Sequence, residues 1–205
     1  MTVEHVELLV EEPSMEVALR ALLPKIIGDL SFEVYRHQCK DELLERLPQR
    51  LRGYANWLPP SWRIVVIVDR DDDDCVALKA NLEEAAKEAG LPTRSEDAEQ
   101  WQVVNRLAIE ELEAWYFGDW QAVQVAYPRV SPTVPLQARY RNPDAIRGGT
   151  WEAFERVLQR AGYFGGGLRK IEAARTVAAL MDPAINVSGS FRIFRSTLTE
   201  LAQAD

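Results

Sequence analysis

The segment Ile64-Val65-Val66-Ile67-Val68-Asp69-Arg70-Asp71-Asp72-Asp73-Asp74 sets a run of carboxylates directly behind five β-branched residues. An Asp-x-Asp leaving the end of a buried strand puts two negative charges into one small volume, and their repulsion is costly unless a cation neutralises it. An all-oxygen donor set suits Mg²⁺ or Mn²⁺. Aspartate is also a turn residue and a helix cap, so the run alone reads equally well as a capped, solvated turn. Glu11 breaks that tie. It follows Leu8-Leu9-Val10 and precedes a helix, much as Asp69 follows Val68. If the two strands are neighbours, Glu11 and the Asp pair converge on one sheet edge. A glutamate there can act as general acid/base on a phosphate oxygen. Its plain alternative is an acid at a helix N-terminus, favoured by the dipole, and Glu12 fills that role as well.

The elements that must position these groups follow from periodicity. Residues 3–10 alternate and predict a strand ending at Glu11. Pro13-Ser14 opens a helix with Ser14 as N-cap, Met15, Leu19, Leu22, Leu23 and Ile26 as its apolar stripe, Pro24 as a bend and Gly28 as its stop. Residues 32–36 alternate again. Residues 41–54 predict a Leu-rich surface helix broken or kinked near Pro48. Residues 63–68 lack alternation, which suits a central parallel strand covered on both faces. Asp73 or Asp74 caps the next helix, which carries Val76, Leu78, Leu82, Ala85 and Ala86. Residues 101–109 are a fourth strand, leading into a helical stretch at 110–115. This alternation predicts an α/β fold: a mostly parallel, doubly wound sheet flanked by helices, with ligands beyond the carboxyl ends of its strands.

Beyond residue 127 the texture changes, with Pro128, Pro132, Pro135, Pro143, Gly148 and Gly149 interrupting any regular element. Helices follow near 151–161, 168–181 and 191–204. Gly165-Gly166-Gly167 joins the first two as a linker; it follows no strand, so it is a poor phosphate loop. The predicted division is an α/β core over 1–127, with an irregular insertion and C-terminal helices over 128–205 packed on it.

Charge follows the same division. The net of −8 argues against a protein that coats nucleic acid indiscriminately, but residues 1–128 carry −12 and residues 129–205 carry +4. Arg139, Arg141 and Arg147 in the irregular segment, and Lys170 at the start of a helix, are the candidates for phosphate contacts. Cys39 and Cys75 make no disulfide framework or zinc spacing, and no apolar run is long enough to span a bilayer. With no basic, apolar leader at the N-terminus, a reducing cytoplasmic setting is expected. His5 and His37 lie inside predicted strands without partner spacing, and the six tryptophans read as core or interface.

Val10-Glu11 before a helix and Val68-Asp69-Arg70-Asp71 resemble the Glu and Asp-x-Asp motifs of the TOPRIM fold, found in topoisomerases, primases and the overcoming-lysogenization-defect nucleases. Asp69-x-Asp71-x-Asp73-Asp74-Cys75, Glu111-Leu112-Glu113-Ala114-Trp115 and Ser188-Gly189-Ser190-Phe191 resemble, in order, a small stand-alone TOPRIM-like family of unknown function. Its first motif usually reads Val-Glu-Gly; here Glu12 replaces the glycine. The resemblance implies a TOPRIM-like (Rossmann-like) sheet and Mg²⁺-dependent phosphodiester hydrolysis of DNA or RNA. Glu11 would be the acid/base, Asp69 and Asp71 the metal ligands, and Asp73 a ligand through water. Glu111 or Glu113 would complete a second metal position; residues two apart on a helix diverge, and Glu113 is favoured because Leu112 and Trp115 then pack elsewhere. It further implies the nuclease subunit of a two-component, defence-type system; with no P-loop in this chain, the ATPase would be a partner protein.

Two other readings compete. A haloacid-dehalogenase-like phosphatase would use Asp69 as nucleophile and Asp71 as acid/base, but leaves Glu11 without a role. A non-catalytic module would keep the fold for assembly alone. DNA against RNA, and monomer against homo-oligomer, stay open at the level of sequence.

Overall fold

The computed structural model describes residues 2–70, 73–109 and 111–203. Four strands, β1 (His5–Val10), β2 (Ser31–Arg36), β3 (Trp62–Asp69) and β4 (Val103–Ala108), form an all-parallel sheet in the order β2-β1-β3-β4. Three helices make the crossovers: α1 (Pro13–Ile27), α2 (Lys40–Ala55) and α3 (Cys75–Glu88). Five more follow β4: α4 (Leu112–Gly118), α5 (Trp120–Ala126), α6 (Thr150–Arg160), α7 (Lys170–Leu180) and α8 (Gly189–Gln203). The expected helix-flanked α/β sheet with C-terminal helices is the fold observed.

The sheet starts in the middle. β1 is followed on one side by β2, and the chain then crosses back to place β3 on its other side. Because parallel crossovers are right-handed, reversing direction sends the connecting helix to the opposite face. Accordingly α1 packs with Val6, Leu8 and Val10 on one face, whereas α2 and α3 pack with Leu9, Val66 and Val68 on the other. β3 buries residues toward both faces, as its unbroken β-branched run requires.

The larger core cluster runs from α1 across its face of the sheet into α4, α5, α6, α7 and α8, so residues beyond 128 share that core. The predicted irregular segment has two short 3₁₀ turns, at Val134–Leu136 and Pro143–Ala145. Lys25 of α1 donates to the carbonyls of Ala178, Ala179 and Met181, which satisfies the end of α7.

Two local expectations change. α1 starts two residues earlier than the Ser14 cap predicts: Glu12 is the N-cap residue and Pro13 takes the first helical position, where its missing N–H costs nothing. α2 runs unbroken through Pro48, and α1 through Pro24. A helix-interior proline costs about 3 kcal/mol, and burial of Leu43, Leu47 and Leu51 in α2 and of Leu19, Leu22 and Leu23 in α1 outweighs it.

Candidate active site

β1 and β3 are hydrogen-bonded neighbours, with Val10 opposite Ile67, so their carboxyl ends meet. Their junction is also where the strand order reverses, the place where an open α/β sheet opens a crevice. Glu11 leaves the end of β1 and Asp69 closes β3; they are only 7% and 3% exposed. The Asp69 backbone N–H donates to Glu11 Oε2 at 3.2 Å. The convergence expected from strand-end placement is thus present for this pair. Asp71 lies outside the described residues.

A cleft of about 400 Å³ opens over the pair, lined also by Glu12, Lys40, Glu111 and Lys170. Glu12 has φ −141° and ψ 159°, extended backbone that any residue adopts, so the turn after Glu11 has no need of glycine. Its carboxylate accepts from the Ser14 hydroxyl and lies 3.7 Å from Lys170 Nζ. Asp73 turns to the rim, where Lys40 Nζ donates to it at 2.9 Å. Asp74 is the cap of α3, accepting from the N–H groups of Val76 and Ala77.

Glu111 and Glu113 both belong to this region. Glu111 is not helical (φ −148°, ψ 175°), so the divergence expected of two residues on one helix does not apply. It lines the cleft and accepts from the Thr150 hydroxyl and the Trp151 N–H, both at 2.9 Å. Burial raises its pKa. Glu113 lies in the first turn of α4 at 1% exposure, and burial pushes its pKa up to about 8, with Glu111 and Glu12 adding to the rise. Its Oε2 has no hydrogen-bond partner among the described residues. Burial alone would lower the pKa of Lys170, but Glu113, Glu12, Glu111 and Asp69 outweigh it and raise the pKa. Lys170, expected among the phosphate-binding surface residues, is therefore a cation of the carboxylate cleft, as Lys40 is. Arg139, Arg141 and Arg147 are exposed in the segment before α6.

The remaining motif residues position α4. Trp115 Nε1 donates to Ser190 Oγ at 3.2 Å, and its ring packs at 5.1 Å against Phe191 and Phe194. Ser188 Oγ accepts the Phe191 N–H, capping the helix with Phe191 buried. Asp144, which sequence reasoning missed, accepts from Ser188, Gly189 and Ser190. It sits inside an irregular stretch, so no periodicity could have pointed to it.

The donor set suits a hard divalent cation, because the acids of the cleft offer oxygen only and the buried Glu113 Oε2 is unsatisfied. Among the described residues, no group of three or more His, Cys, Asp or Glu is placed to hold a metal ion. Glu11 and Asp69 thus supply two carboxylates toward a site, without a third beside them among those residues. Also among the described residues, no helix is long and apolar enough to cross a membrane. The profile of the family described as Domain of unknown function (DUF4276) matches residues 10–199. No curated protein and no solved structure matches.

Proposed function

The chain belongs to the DUF4276 family, so its activity has to be read from the site, and we propose that it is a metal-dependent nuclease hydrolysing phosphodiester bonds of DNA or RNA. The observation that supports this most is the meeting of Glu11 and Asp69 at the switch point of the sheet, inside an acidic cleft that also holds Lys40 and Lys170. A bound Mg²⁺ or Mn²⁺ would supply polarisation of a phosphoryl oxygen, with Glu11, Asp69 and, from the sequence, Asp71 as its holders. Hydrolysis forms a bond from a water oxygen to phosphorus and breaks one ester P–O bond. Glu11 takes the proton that the water loses or gives the one that the leaving oxygen gains. The Lys170 ammonium, which lines the same cleft, offers positive charge to the phosphate. Glu113, buried near Glu111 and Glu12 with its pKa raised to about 8, adds little to the repulsion a phosphate meets while it holds its proton.

The −12 of the front half repels polynucleotides, which is why productive docking is assigned to the basic half and to a partner ATPase. The test is a cleavage assay on plasmid, single-stranded DNA and RNA, with Mg²⁺ or Mn²⁺, with and without any co-purifying ATPase. Glu11→Gln is expected to lower the rate by about 10²- to 10⁴-fold with metal binding kept, and Asp69→Ala to lose both. Full-rate cleavage by Glu11→Gln would remove Glu11 from the mechanism, and absence of cleavage under every condition would leave assembly as the role.

A further inference from the structure

Several arginines of this molecule pair with acids: Arg20 with Glu16 and Glu33, Arg36 with Glu16, Arg94 with Glu200 and Arg169 with Glu172. One region gathers arginines without such pairs. A pocket of about 320 Å³ between the segment before α6 and α6 itself is lined by Arg139, Arg147 and Arg156, with no carboxylate in its wall. A second pocket of about 210 Å³ adjoins it, sharing Arg139 and Tyr140, and adds Arg129 and Arg160. Among the described residues none of these five arginines is in an ion pair.

The acids of the same stretch are turned elsewhere. Asp144 is taken by the start of α8, Glu155 accepts the Leu168 N–H, and the Glu152 carboxylate folds back against Gly149. Arg156 and Arg160 are four apart on α6 and present guanidinium groups in succession along one side. Arg139 lies over the Tyr140 ring at 4.5 Å, and Arg129 over Tyr163 at 4.3 Å while donating to Gly162 O, so two of the five are held by stacking. Five unneutralised guanidinium groups around two connected pockets repel one another, and a chain of phosphates relieves that repulsion through bidentate hydrogen bonds.

We propose that the paired pockets along α6 form a phosphate-binding track that takes the backbone of a polynucleotide, separate from the carboxylate cleft. This rests on a polynucleotide being the substrate, but not on its being cleaved here. The track includes Arg129, Arg156 and Arg160, which lie outside the cluster that sequence reasoning selected. Guanidinium groups dominate its polar lining, beside Tyr140, Ser131 and Gln137, which suits contacts to backbone phosphates.

The experiment is fluorescence anisotropy of a labelled single-stranded oligonucleotide against salt, in EDTA and with Glu11→Gln as the parent protein, so that cleavage plays no part. Arg147→Gln/Arg156→Gln should weaken binding by about tenfold or more and flatten the log–log salt slope by about 1.4. The lysine pair Arg147→Lys/Arg156→Lys should keep most of the slope. All these side chains are exposed, and Arg156→Gln/Arg160→Gln serves as a second variant should the first fold poorly. Unchanged affinity and slope in both glutamine variants would overturn the assignment, as would failure of the parent to bind any polynucleotide. Tripolyphosphate binding that the variants lose, with oligonucleotide binding untouched, would replace the proposed occupant with a small phosphate compound. Cleavage that fails while this binding holds would count against the nuclease reading alone.

Discussion

Glu113 is a carboxyl group buried in α4 with one oxygen unsatisfied among the described residues, and its proton is tied to folding. Its pKa is raised from 4.5 to about 8. Between those pH values the folded chain therefore holds a proton that the unfolded chain has released. Stability is highest below about pH 4.5 on this account and falls as pH rises through about 8, because more protons are bound in the folded state. In metal-free buffer, Glu113→Gln should gain on the parent by on the order of 3–5 kcal/mol between pH 5 and pH 9. Urea unfolding at both pH values measures this; equal differences at the two would show that Glu113 titrates normally.

The elements beyond β4 act by holding α4 against the sheet edge, and Gly118 is where that joint is tightest. A Cβ at Gly118 would lie 2.0 Å from Asn186 Oδ1 and 2.9 Å from the Ser188 nitrogen. Asn186 cannot readily give way, because its Nδ2 donates to Trp115 O and its Oδ1 accepts the Ser188 N–H. Gly118→Ala should then cost about 1–3 kcal/mol, as overpacking does, and lower the melting temperature. Gly53→Ala in α2 is the control: a Cβ there meets nothing within 4 Å, and alanine is the better helix former. If both substitutions behave alike, the joint between α4 and the 186–188 turn is looser than drawn.

At the scale of the whole molecule, acidic residues gathered at one edge make the folded chain respond to divalent ions as a unit. A cation that binds only the folded site raises the melting temperature by mass action. Millimolar Mg²⁺ or Mn²⁺ is expected to produce a rise of a few degrees, which Asp69→Asn should largely remove while equal ionic strength from NaCl gives little. A metal effect of the same size in the variant would move the site away from the β1–β3 edge.

The period-two strands, the unbroken run into Asp69 and the Glu11 that closes β1 were legible because local periodicity and chain direction already decide them. The sequence also carried the phosphate-binding candidates Arg139, Arg141 and Arg147, since unneutralised charge can be counted along a chain. It did not decide that β1 and β3 are neighbours; strand order did, and without it Glu11 and Asp69 would remain two separate strand ends. Nor could it pair Lys170 with the carboxylates, set Glu111 outside the helix of Glu113 or line up Arg156 with Arg147. Those juxtapositions come from α6 and α7 docking onto a core shared with α1. Burial in that core, not spacing along the chain, brings charges tens to hundreds of residues apart into one field.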